Sequence, residues 1–124
     1  MKLALIIAAL VLMCAGHVFA EDSVSEPTQN PSARYRLFRT QNIYTLLKLD
    51  TRTGKIWQVQ WGKDNERIVA IISLKVLASG KEGRFTLYPT SNIYTFLLLD
   101  QESGDTWQVQ WGQDELHRVV VPVE

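Results

Sequence analysis

The sequence predicts an all-β protein, an antiparallel meander of tandem β-hairpin repeats with about eight short strands. Three observations predict it. The stretch 34–69 recurs, without a gap, as 84–119, and 19 of the 36 aligned positions are identical. Each copy contains a run in which apolar and polar residues alternate with a period of two, as in a strand with two unlike faces. Each also carries the same Asp-to-Gly turn at the same spacing. A repeat obliges both copies to form the same supersecondary unit. It also argues against catalysis, because an active site draws unlike residues to one place.

Residues 1–20 read as a secretory signal peptide. Lys2 is the positive n-region, an apolar run follows from Leu3, and Val18-Phe19-Ala20 precedes the polar Glu21-Asp22-Ser23. The run is too short and wrongly flanked for a retained membrane span, so no span is expected in the mature chain. Lipidation at Cys14 is disfavoured, since Met13 stands where a lipobox takes a small residue. The expected destination is the periplasm or the extracellular medium.

Cleavage after Ala20 of the 124 residues leaves 104, enough for one small domain. It removes the only cysteine and leaves His117 as the single histidine, so no disulfide, Cys-based metal site or cofactor is expected. Loss of Lys2 changes 13 basic against 13 acidic residues to 12 against 13. Such a balanced surface has no field for holding phosphates, which excludes nucleic acid as an expected partner. Residues 21–33 contain Pro27, Pro31 and several small polar side chains, and are expected to be a flexible linker.

The domain is expected at 34–124, with repeat units 34–73 and 84–124. In each unit a first strand, 34–38 or 84–88, precedes a hairpin. The hairpin's first arm, 42–50, is rich in Ile, Tyr, Thr and Leu. Its second, 55–62, alternates Trp57, Val59 and Trp61 with Ile56, Gln58 and Gln60. Between them, Asp50-Thr51-Arg52-Thr53-Gly54 is matched by Asp100-Gln101-Glu102-Ser103-Gly104. Asp accepts local backbone N–H bonds and Gly closes the turn at positive φ, giving a type I turn with a bulge.

If Asp50 faces Lys55, then Trp57, Val59 and Trp61 share a face with Lys48, Leu46 and Tyr44. Leu47 and Thr45 then lie opposite Gln58 and Gln60 on the other face. The second copy places Trp107, Val109 and Trp111 beside Leu98, Phe96 and Tyr94. Final strands are expected at 67–72 and 117–121, after turns at 62–65 and 112–115. The cluster Ser79-Gly80-Lys81-Glu82-Gly83 separates the copies. Pro122 suits an exposed edge, where its missing N–H matters least.

The string Asn92-Ile93-Tyr94-Thr95-Phe96-Leu97-Leu98-Leu99-Asp100, then Gly104, then Trp107-Gln108-Val109-Gln110-Trp111-Gly112, resembles the secreted β-hairpin-repeat proteins of gut bacteria. The resemblance covers nearly all of 34–121 and departs in the first copy at Lys48, where the second has Leu98. It implies secretion, a twisted single-layer sheet of about eight strands without a conventional core, and a link to complex-carbohydrate use. A second resemblance, Leu49-Asp50-x-x-Thr53-Gly54-Lys55-x-Trp57, is to the hairpin of quinoprotein-type propellers. Two four-stranded copies cannot close a ring, which needs at least four blades, so a lone chain would have to oligomerise.

The candidate binding residues are Tyr44, Trp57 and Trp61 with their twins Tyr94, Trp107 and Trp111, flanked by Gln58, Gln60, Gln108 and Gln110. Flat aromatic faces stack on sugar rings and amides bond hydroxyls, so an oligo- or polysaccharide is the first expected ligand. The plainer reading weighs more at each position: aromatic pairs hold a sheet together, and the glutamines form its solvated side or an amide ladder. Asp50, Asp64, Asp100 and Asp114 invite comparison with a glycosidase pair. All are turn residues with repeat twins, and exposed turns offer no sheltered carboxyl of raised pKa. His117, which Arg67 replaces in the first copy, has no triad partners and is expected to be an exposed strand residue. The expected protein is therefore non-catalytic. Its alternative role is to dock another protein, or a second copy of itself, by a sheet edge or apolar face.

Overall fold

The computed structural model describes residues 28–63 and 66–124. The expected signal peptide, 1–20, residues 21–27 of the expected linker, and the candidate carboxylate Asp64 with the second half of the expected 62–65 turn lie outside the described residues.

Each repeat unit folds as a four-stranded antiparallel meander. The first contains β1 (Tyr35–Arg39), β2 (Thr45–Asp50), β3 (Ile56–Gln60) and β4 (Ile68–Ser73). The second contains β5 (Phe85–Pro89), β6 (Thr95–Asp100), β7 (Thr106–Gln110) and β8 (Val119–Pro122). The all-β meander is as expected, but the single layer is not. The eight strands form two separate sheets, ordered β1-β2-β3-β4 and β5-β6-β7-β8, and neither closes into a barrel. The physical reason is apolar area. A single layer leaves both faces of every strand wet, whereas two layers bury one face of each sheet against the other.

The hairpin register agrees with the sequence reading. Lys48 pairs with Trp57, Leu46 with Val59 and Leu47 with Gln58, and the second copy repeats this with Leu98–Trp107, Phe96–Val109 and Leu97–Gln108. The turns form as their residues dictate. Gly54 and Gly104 donate N–H bonds of 2.9 and 2.8 Å to the carbonyls of Asp50 and Asp100, at φ values of 83° and 81°. Asp50 Oδ1 accepts the N–H of Arg52, and Asp100 Oδ1 accepts those of Glu102 and Ser103.

Between β1 and β2, and again between β5 and β6, the chain is turned by a motif whose Asn and Tyr the residue pattern predicts as strand. Asn42 Oδ1 accepts the Tyr44 N–H at 2.9 Å, and Thr40 Oγ1 accepts the Asn42 N–H and donates to the Thr45 carbonyl. Thr90, Asn92, Tyr94 and Thr95 repeat the pattern. These side-chain-to-backbone bonds turn the chain, so β2 and β6 begin at the threonine rather than at the asparagine. Near the C-terminus, His117 lies in a short 3₁₀ turn (Glu115–His117) capped by Asp114, not in the strand expected there. Pro122 lies in β8, an edge strand, as expected.

The two sheets stack with unlike faces together. Leu47, Leu49, Ile56 and Gln58 of the first sheet are buried, as are Phe85, Leu87, Phe96, Leu98, Val109 and Trp111 of the second. The first sheet thus contributes its amide-bearing face, here the back, and the second contributes its aromatic-bearing face, the front. A bulge in β4, opposite the Ile56–Trp57 step, adds Ile72 to the same core. Burying a side chain of this size stabilises by about 1.5–3 kcal/mol.

Thr51 ties the layers together at one end. Its carbonyl accepts the Phe85 N–H at 2.9 Å. Its hydroxyl accepts the Gly83 N–H at 2.8 Å and donates to the Ala33 carbonyl at 2.7 Å. The last part of the expected linker runs beside β1, where the Gln29 side chain bonds both the N–H and the carbonyl of Leu37. That contact satisfies part of an otherwise open sheet edge.

Candidate functional surface

The repeated aromatic motif is built identically in both copies. Trp61 Nε1–H donates to the Ile43 carbonyl and Trp111 Nε1–H to that of Ile93, each at 2.9 Å. The Tyr44 and Trp61 rings lie 5.1 Å apart at 57°, and Tyr94 and Trp111 lie 5.0 Å apart at 55°. Their environments differ completely: Trp61 is 53% exposed and Trp111 is 1% exposed. The difference follows the stacking: the second front faces the core between the sheets, and the first front faces solvent.

The ten candidate residues consequently do not form one striped surface. Tyr44 and Trp61 are exposed on the outer front, with Trp57 half-buried beside them. Trp111 is core, Trp107 is half-buried, and Tyr94 remains exposed at the margin. Gln58 is fully buried between the sheets and Gln60 is half-buried, while Gln108 is exposed and Gln110 half-buried on the outer back.

Gln58 makes a contact between sheets that no reading of one repeat reveals. Its Oε1 accepts the backbone N–H of Gly112 at 3.2 Å. Its Nε2 and the Oε1 of Gln60 have no hydrogen-bond partner among the described residues, so these two glutamines form no amide ladder. A buried amide with an unpaired half costs about 1–3 kcal/mol, which offsets what the Gly112 bond contributes.

The outer front is apolar with a cationic edge. Tyr35, Leu37, Tyr44, Trp61, Val69 and Ile71 are all exposed on it. Tyr35 and Trp57 pair at 6.4 Å and 60°. Lys48 holds its ammonium 4.8 Å from the centre of the Trp57 ring, and the Arg34 guanidinium lies 5.2 Å from that of Tyr35. Beside Trp61, a shallow cavity is lined by Arg39, Thr40, Asn42, Ile43, Thr45 and Leu46. The opposite surface, the outer back, exposes Tyr88, Leu97, Val119 and Val121 around Gln108.

Asp50, Asp100 and Asp114 hold turns. Arg84 grips Asp100 with two bonds, Nε–Oδ1 at 3.0 Å and Nη2–Oδ2 at 2.9 Å. Burial would push the Asp100 carboxyl up, but the bonds from Arg84, Ser103 and the Glu102 backbone outweigh it and hold the group well below the ordinary value. Bonding to Asp100 correspondingly raises the Arg84 guanidinium. The matching Arg34–Asp50 pair is looser, at 3.4 Å. His117 Nδ1 lies 2.6 Å from Asp114 Oδ1 on an exposed turn. Among the described residues no cluster of three or more His, Cys, Asp or Glu is placed to hold a metal. None of their helices is long and apolar enough to cross a membrane. Comparison with known proteins returns no match among family models, curated proteins or solved structures.

Proposed function

We propose that this protein is an exported, non-catalytic docking module, and that the outer front of its first sheet is the surface that engages a protein partner. One observation carries the reading. The face that the second sheet buries in the core faces solvent in the first, where Leu37, Val59 and Trp61 repeat the buried Leu87, Val109 and Trp111. A contiguous apolar surface of this kind on a small domain is the mark of an interaction site. Asp50 and Asp100 support the non-catalytic part of the reading, each accepting turn N–H groups and pairing with an arginine.

The test is photo-crosslinking in the cells that produce the protein, with a benzophenone amino acid at Leu46 on the outer front or at Leu116 on the exposed 3₁₀ turn. A discrete protein adduct is expected from position 46 and not from position 116. Absence of any adduct at position 46 overturns the docking role.

A second reading, glycan contact in keeping with the gut-bacterial resemblance, is favoured by the half-exposed Tyr44–Trp61 pair above a cavity containing Asn42 and Thr40. It ranks lower because the rings are tilted against each other and Lys48 covers one face of Trp57. Quenching of tryptophan fluorescence by a polysaccharide, abolished by Trp61→Ala, would establish it.

A further inference from the structure

We infer that the occupant of the outer front is the outer back of a second copy of this chain, docked as the first sheet docks on the second within one molecule. The inference rests on the docking role proposed above and names its partner.

The internal interface is the template. It joins the back of one repeat to the front of the other, so it is heterologous: its two halves are different surfaces. Stacking two repeats consumes one back and one front and leaves one of each outside. The remaining front and back are repeat-equivalents of the surfaces already packed together. Leu37 is 45% exposed while its twin Leu87 is 3% exposed, and Leu97 is 37% exposed while its twin Leu47 is 0% exposed. Both outer surfaces therefore carry, in solvent, residues that the same fold buries at its own core.

The polar contact of the interface is retained as well. Gln58 meets the Gly112 N–H inside the molecule. Its twin Gln108 is exposed on the outer back, and Gly62, the twin of Gly112, follows Trp61 at the end of the outer front. Stacked in the internal register, Gln108 Oε1 of one copy receives the Gly62 N–H of the next. An interface built from the internal one uses this glutamine, leucine and glycine pattern again.

One position departs from the template. Lys48 replaces the buried Leu98 on the outer front. Its ammonium must keep access to water at a stacked interface, so it weakens docking without forbidding it. The chain-to-chain interface is accordingly weaker than the internal one and reversible. Head-to-tail docking has no built-in stop, and it ends in a ring if the rotation between successive sheets closes or in a filament if it does not.

Sedimentation velocity on the purified protein tests the inference. Leu37→Glu blocks the front and Leu97→Glu blocks the back, and both positions are exposed within a single chain, so each variant should retain the fold. The wild type is expected to sediment as a concentration-dependent assembly and each variant as a monomer. An equimolar mixture of the two variants should form a one-to-one dimer, because each supplies the face that the other lacks. Lys48→Leu should tighten assembly by about tenfold, a fully buried apolar side chain being worth that much or more. Three results overturn the inference: a monomeric wild type up to about millimolar concentration, at which no useful affinity remains; a dimer that survives Leu97→Glu, which means front packs on front; or a mixture that stays monomeric. A monomeric wild type combined with a position 46 adduct to a different protein leaves the docking role standing and removes only self-assembly.

Discussion

Gly112 donates its backbone N–H to Oε1 of Gln58, 54 positions away in the other sheet, at 3.2 Å. This bond crosses a core made mostly of leucine, isoleucine and phenylalanine, whose packing has little directional preference. The glutamine supplies a register between layers that apolar contacts alone do not specify.

That role is measurable by chemical denaturation. Gln58→Ala removes the acceptor of the Gly112 N–H and leaves a cavity, so a loss of about 2–4 kcal/mol is expected. Gln58→Leu refills the volume and also removes the unpaired Nε2. Its expected cost is below about 1 kcal/mol, with broader amide resonances as the interlayer register loosens. Equal losses in the two variants would point to volume alone.

Trp61 and Trp111 offer a comparison in which the local contacts are the same and only burial differs. Trp111→Ala should cost about 3–5 kcal/mol, as for a core tryptophan. At concentrations where the chain is monomeric, Trp61→Ala should cost only about 1 kcal/mol, the value of its ring pairing with Tyr44. Thermal melts of both variants at low micromolar concentration decide this.

The Arg84–Asp100 pair gives stability a defined acid dependence. The native carboxyl titrates below its unfolded value of about 3.9. Its contribution is therefore complete above about pH 5 and is lost as pH falls through the lower native value. Asp100→Asn should destabilise by about 1.5–3 kcal/mol at pH 7, the worth of hydrogen bonds to a charged group. The gap between variant and wild type should narrow steadily towards pH 2. A gap independent of pH would show that the turn, and not the charge, carries the effect.

The two turn glycines separate backbone strain from crowding. Gly104 sits at φ 81°, and a Cβ added there would meet nothing within 4 Å, so Gly104→Ala should cost only the conformational penalty of about 1–2 kcal/mol. At Gly54, φ 83°, an added Cβ would meet Leu77 Cδ1 at 3.0 Å, so Gly54→Ala should cost more. Denaturation midpoints at unchanged slope provide the measurement.

Much of the local structure is legible in the chain. The Asp-to-Gly turns, the pairing of Lys48 with Trp57 and the separation of aromatic from amide faces all follow from contacts a few residues apart. The Thr40–Asn42 and Thr90–Asn92 turns were also visible as repeated letters. Ile, Tyr and Thr around them favour strand, and that preference hid the side-chain bonds that bend the chain.

The candidate surface was legible only in part. Residues 57 and 107, or 61 and 111, are the same letters in the same hairpin, and no local rule separates one that faces solvent from one that faces a core. By itself the sequence determined the repeat, the register and the two unlike faces of each sheet, because backbone alternation and turn chemistry act at short range. Only the tertiary structure decided that the back of the first sheet covers the front of the second. That choice depends on burying apolar area between segments about 50 residues apart, and it is what sends Trp111 inward and leaves Trp61 at the surface.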